Sequence, residues 1–163
     1  MSGFRIRAVN ADDHGEVALI AERMQLTLGE VVGEEGPSMY SMDWLIDRVR
    51  WHLDATQCTG AVYVAESAGT VVGHTIVRAE EDENDDSMGL FSTTYVAKSA
   101  RRQGIADAFI ATGERWMIQH GLRFAATHTS KTNTPLIRLY EKHQYAIVLR
   151  IPENKMIRLG KHL

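Results

Sequence analysis

Tyr95-Val96-Ala97-Lys98-Ser99-Ala100-Arg101-Arg102-Gln103-Gly104-Ile105-Ala106-Asp107 reads as the end of a strand, a short basic loop and the start of a helix. The first-turn N–H groups of a helix have no internal partners, and the macrodipole places roughly half a positive charge there. Gly104 and Ala106 carry almost no side chain, so an anion approaches the backbone closely. Arg101 and Arg102 add charge in a geometry suited to phosphate. The stretch therefore predicts a phosphate-type anion site, against the plainer alternative of a helix start that is merely basic. The chain has no Gly-x-x-x-x-Gly-Lys-Ser/Thr, and no Gly-x-Gly-x-x-Gly follows its first strand. These gaps argue against a P-loop NTPase and a dinucleotide-binding unit.

Upstream of this segment, Phe4 to Val9 alternate like a strand. Asp12 or Asp13 caps a helix with apolar positions Val17, Ile20, Ala21, Met24 and Leu28. Gly29, Gly33, Gly36 and Pro37 break the pattern and predict a loop of about ten residues. Ser41 then caps a second helix carrying Met42, Leu45, Ile46, Val49 and Leu53 on one face. Ala61–Glu66 and Thr70–Val77 read as a hairpin, and Met88–Val96 as the next strand. Downstream, the helix runs from about Gln103 to His120, with Ile105, Phe109, Thr112 and Trp116 inward and Gly121 just past its end. Phe124–Ser130 form a strand, and Thr134-Pro135 open a short helix ending near His143. Tyr145–Ile151 and Lys155–Leu159 close the chain as two strands joined at Pro152-Glu153-Asn154. The order predicts a single α/β domain with a mixed sheet and helices on both faces.

The 163 residues suit one domain, and the formal net charge of −3 conceals a division. Residues 1–97 carry 6 basic and 17 acidic side chains; residues 98–163 carry 12 and 4. Such a split suggests an anionic ligand on one side and a cationic one on the other, with plain surface charge as the alternative. Six acids between Glu80 and Asp86 predict a solvated tip. No stretch is long and apolar enough to span a membrane, and Cys58 is the single cysteine, so a cytoplasmic location is expected. The seven histidines show no paired metal-ligand spacing, so no metal is predicted. Cys58 reads as inert, and Trp44, Trp51 and Trp116 as helix-face packing.

Arg101-x-x-Gly104-x-Ala106, after a strand ending in Val96, resembles the Arg/Gln-x-x-Gly-x-Gly/Ala motif of the GCN5-related N-acetyltransferase (GNAT) family. Further on, Asn133 and Leu139-Tyr140-Glu141-Lys142-His143-Gln144-Tyr145 resemble that family's Asn…Leu-Tyr-Glu-Lys-x-Gly-Phe signature. The element order over residues 4–159 is similar too, so the resemblance spans nearly the whole chain, with residues 1–163 expected to form one acetyltransferase domain. There are departures. Lys98 stands where the family often has Pro, and Gln144 and Tyr145 replace Gly and Phe.

The resemblance implies acetyl-coenzyme A as cosubstrate. Backbone N–H groups over Arg102, Gln103, Gly104, Ile105, Ala106 and Asp107 would take its pyrophosphate, with Arg101 adding charge. The open strand edge at Tyr95 and Val96 would pair with the pantetheine amides, and Asn133 would bond the pantetheine arm. Splaying of the strands Met88–Val96 and Phe124–Ser130 would make room. Tyr140 is implied as the acid that protonates the departing thiolate, with core packing as its alternative role. A backbone N–H near Val96 is the candidate oxyanion donor. The base is left open among Glu66, His74 and His128. The acceptor is expected to be a small-molecule or peptide amine, and the acidic half favours a cationic one: a polyamine, an aminoglycoside-like amine, or a lysine or N-terminal amine. Neither a nucleic acid nor a membrane is expected as partner, and a homodimer is left open. A non-catalytic acyl-CoA-binding module is the second reading. Nucleic-acid binding through the basic half ranks last, because RNA-binding aromatic signatures are missing.

Overall fold

The computed structural model describes residues 3–32 and 35–163. The elements run β1 (Arg5–Ala8), α1 (His14–Val32), α2 (Met42–Leu53), β2 (Gly60–Ser67), β3 (Thr70–Glu81), β4 (Ser87–Val96), α3 (Ile105–Gln119), β5 (Phe124–Ser130), α4 (Thr134–Lys142), β6 (Ala146–Ile151) and β7 (Met156–His162). The strands form one seven-stranded sheet in the order β1-β2-β3-β4-β5-β7-β6. Only β4 and β5 are parallel; every other pair is antiparallel. This is the mixed sheet that the sequence predicts.

Each face of the sheet is covered by the apolar stripe of two helices. Val17, Ile20, Ala21 and Met24 of α1 and Leu45 and Val49 of α2 bury against Val62, Val64 and Ile76. On the other face, Ile110, Trp116 and Met117 of α3 and Tyr140 of α4 bury against Val77, Phe91, Ala125 and Leu159. Each of the larger aliphatic and Phe side chains among them contributes about 1.5–3 kcal/mol when fully removed from water. The sheet thus fixes α3 and α4 beside one another on one face.

The expected elements shift at several places, among them β7, which runs on past Leu159 to His162. α1 continues through Gly29 to Val32 instead of ending in a loop. A Cβ at Gly29 would make ordinary contact with the Pro37 ring at 3.4 Å, whereas one at Gly36 would stand 2.2 Å from the Leu28 carbonyl oxygen, so the close approach of the following turn depends on Gly36. The rest of that expected loop includes residues 33 and 34, which lie outside the described residues. β3 extends to Glu81, which draws two acids of the run into the strand. α3 begins at Ile105 because Arg102 (φ 65°) and Gly104 (φ 86°) are both left-handed and cannot belong to the helix. Its buried face includes Ile110, Gly113 and Met117, while Thr112 is only half-buried. Finally, Trp44 does not pack inward: it is exposed and stacks on Tyr40, ring centroids 4.2 Å apart.

Two departures from the family motif have local explanations. Gln144 adopts φ 74°, the backbone conformation that a glycine takes without strain. Tyr145 is buried, and its hydroxyl donates to Glu114 Oε2 at 2.7 Å, so the extra polar atom is satisfied. Lys161 also bonds Glu114, at 3.0 Å.

Candidate active site

β4 and β5 pair only over Gly89–Phe91 and Ala125–Thr127. Beyond that rung the two strands separate. The β3–β4 register slips between Ile76/Thr93 and Val77/Phe91, leaving Ser92 as a bulged residue at the point of separation. From Thr93 to Val96, β4 stays paired with β3 alone. The Ala97 amide donates to the Val72 carbonyl, on the β3 side. By strand alternation the polar groups of Val96 and Thr94 face the other way, along an open edge.

The separation creates a crevice lined by Thr27 and Glu30 of α1, Ser92, Thr93 and Thr94 of β4, and Thr127, His128, Asn133, Leu136 and Tyr140 beyond. It opens into a groove of about 480 Å³ that shares Glu30, Asn133 and Leu136 and adds Arg101. A further hollow of about 190 Å³ continues past Arg101 and Leu139 to Arg102, Gly104, Ile105, Ala106 and Asp107. One continuous path therefore leads from the α3 N-terminus to the interior of the sheet.

At the α3 end, the amides of Gln103 to Asp107 meet no acceptor among the described residues. Those donors and the helix dipole point at the hollow. Space above Gly104 is open, since a Cβ there would meet nothing within 4 Å. Arg101 Nε donates to the Val96 carbonyl at 2.9 Å, and its guanidinium lies 3.6 Å from Glu30. Asp107 is held by Lys142 and His143, each at 2.7 Å, which ties the end of α4 to the first turn of α3. These pairings hold the Asp107 carboxyl below the usual carboxylate range. The donor-rich, basic hollow beside an open strand edge fits the diphosphate and amide arm of coenzyme A.

At the interior end, Tyr140 is buried and packs edge-on against Phe91 and Tyr145. Burial pushes its phenol well above the usual range, and the nearby Thr94 and Thr127 hydroxyls offset only part of that. Thr94 Oγ1 also lies 2.8 Å from Thr75 Oγ1. Asn133 lines the crevice, with its amide Nδ2 donating to Thr129 Oγ1 at 3.1 Å.

The sequence-derived residues thus fall into three groups. Val96, Arg101, Arg102, Gly104, Ile105, Ala106, Asp107, Asn133 and Tyr140 all line the connected path. Tyr95 sits on the same strand, but its ring faces α1, where the Arg23 guanidinium lies over it at 5.2 Å. Gln103 sits in the loop among the open amides.

The three candidate bases separate clearly. Glu66 pairs with Arg5 and Arg7 on β1 and does not line the crevice. His74 is fully buried behind Thr93, with Nε2 2.9 Å from the Thr93 hydroxyl, and burial lowers its pKa to about 3. His128 lines the crevice, but its Nε2 accepts from Arg158 Nε at 3.0 Å, and burial lowers its pKa too. The sequence reading missed Thr27, Glu30, Ser92, Thr93 and Thr94. Helical spacing would have placed Thr27 and Glu30 on one face had α1 been carried past Gly29.

Comparison with known proteins agrees with this geometry. The family model described as acetyltransferase (GNAT) family matches residues 26–145. A curated N-alpha-acetyltransferase, daf-31 of Caenorhabditis elegans, is 28% identical over 81 residues, covering 48% of this chain and 44% of that protein. The matched segment is thus less than half the length of that relative. The fold of yncA from Salmonella typhimurium, solved with its cofactor acetyl-CoA, superposes with a TM-score of 0.76 at 14% identity, covering 98% and 94% of the two chains. Spermidine N-acetyltransferase from Vibrio cholerae, in complex with CoA and spermine, gives 0.71 at 16% identity, covering 98% and 95%.

Proposed function

Because the chain belongs to the acetyltransferase (GNAT) family, we propose that it is an acetyl-CoA-dependent N-acetyltransferase that acts on a primary amine by direct transfer in a ternary complex. The observation that carries this reading is the continuous path from the open amides of α3 to the buried Tyr140 phenol, along the unpaired edge of β4. Residues 1–163 form the catalytic domain in this proposal.

When bound, acetyl-CoA supplies the acetyl thioester. Arg101, Arg102 and the amides of Gln103 to Asp107 hold the diphosphate, and the open edge at Thr94 and Val96, together with Asn133, holds the amide arm, while the Tyr95 backbone pairs towards β3. The Val96 N–H is the donor for charge developing on the acyl oxygen, a role that a preorganised backbone group fills without reorganisation. Tyr140 keeps its proton through the neutral range because burial disfavours its phenolate. At the inner end of the crevice it is the proton donor beside which the departing thiolate would lie, with the Thr94 and Thr127 side chains lining the same wall.

The relatives' names point to two acceptor classes, an N-terminal amine and a polyamine. Both are cationic before reaction. The reading is tested by free-thiol release from acetyl-CoA across a panel of polyamines, aminoglycosides, lysine and peptides, with mass analysis of the product. Amine-dependent thiol release with an acetylated product supports it. Tight CoA binding with no acetylated amine favours the non-catalytic module instead.

A further inference from the structure

Among the described residues, Glu30 is the single carboxylate that lines the crevice and its adjoining groove. It lies one helical turn from Thr27 on α1 and opposite His128 and Asn133 in that crevice. Its partner is Arg101, 3.6 Å away, and both side chains are substantially exposed. Arg101 meanwhile spends its Nε on the Val96 carbonyl, an acceptor on the open edge of β4. One side chain thus occupies the strand edge and neutralises the carboxylate at the mouth of the crevice.

We propose that Arg101 and Glu30 form an exchangeable ion pair that makes amine binding depend on the cofactor, with Glu30 as the residue that anchors the cationic acceptor. This rests on the acetyltransferase reading above. A polyanionic diphosphate offers Arg101 a stronger, less screened partner than an exposed carboxylate does. Moving the guanidinium to the diphosphate frees the Val96 carbonyl for an amide N–H of the incoming arm. The same movement leaves Glu30 without its cation. A protonated amine then replaces Arg101 at Glu30, beside Thr27 and Ser92. Without cofactor, the carboxylate already has a partner and the amine gains less there.

The test measures CoA binding by calorimetry, which needs no turnover. Glu30→Gln removes the partner that holds Arg101 back, so CoA should bind about two- to fivefold tighter, in line with the small worth of an exposed pair. Arg101→Gln should weaken CoA binding, and adding Glu30→Gln to it should bring no further tightening. A Glu30→Gln variant that binds CoA no better overturns the proposal. So does equal tightening in the Arg101→Gln background, because that would be general charge relief and not exchange of a pair. For the amine identified by thiol release, Glu30→Gln should raise its KM several-fold with kcat nearly unchanged; an unchanged KM also overturns it. A wild-type chain that fails to bind CoA at all would instead sink the acetyltransferase reading itself.

Discussion

Thr127 Oγ1 donates to the Phe91 carbonyl at 3.0 Å, and these two residues also form the last aligned pair between β4 and β5. The side chain thus adds a bond at the rung where the strands part. Thr127 also lines the crevice together with Tyr140, so the point of separation forms part of the wall around the candidate proton donor. Thr127→Val keeps the shape and deletes the hydroxyl at a buried position. It should cost about 1 kcal/mol of stability and lower kcat. Urea unfolding and steady-state kinetics check this; a variant as stable and as active as wild type contradicts it.

Gly113 of α3 lies directly over the Phe91 ring, and a Cβ there would stand 2.2 Å from Phe91 Cε1. Both groups are buried between helix and sheet, so neither has room to retreat. Gly113→Ala gains helix propensity but overpacks this contact, for a net loss of roughly 1–3 kcal/mol. Unfolding midpoints measure it. A more stable alanine variant would show that α3 sits farther from β4 than described.

Stability should depend on pH through two buried histidines. His52 accepts from Arg78 and donates to the Arg48 carbonyl, and burial lowers its pKa to about 4; His74 falls to about 3. Their unfolded values lie near 6.5. Between these limits the unfolded chain binds more protons than the folded one, so stability is complete above about pH 6.5 and is lost as pH falls towards 4. Going from pH 7.5 to 5.5 should cost about 1 kcal/mol per histidine. Melting curves across that range check the slope, and His52→Gln should flatten it. A flat wild-type profile contradicts the assignment.

What was legible in the sequence was local. The segment Tyr95–Asp107 carries its strand, loop and helix start in consecutive residues, so the anion-binding end could be placed before any fold was known. The Leu139–Tyr145 run likewise brought Tyr140 forward. What was not legible depended on distant contacts. Gly29 looked like a helix stop, yet it is a helical position, and the close approach of the following turn falls at Gly36. Extending α1 by that turn is what brings Glu30 to the crevice. The bulge at Ser92 follows from the register of β4 against β3, which no local pattern encodes. His74 alternates on its strand like any inward residue, and only packing shows that it lies behind Thr93.

The division of charge gains a partial structural meaning. Arg101 and Arg102, on the basic side, line the anion-binding hollow, and Glu30, on the acidic side, lines the crevice. Some of the remaining acid is committed elsewhere: Glu83 pairs with Arg158 across to β7, and Glu16 and Glu66 hold Arg7. Surface charge as a whole therefore says less about the acceptor than this one carboxylate does.

The measurement that bears most directly on the central claim is steady-state thiol release by Tyr140→Phe, alongside its affinity for CoA. The phenol lies at the inner end of the path, away from the open amides that would hold the diphosphate. Loss of a positioned acid should lower kcat by roughly 10²-fold, with CoA affinity close to that of wild type. A Tyr140→Phe variant that turns over at the wild-type rate would contradict the account.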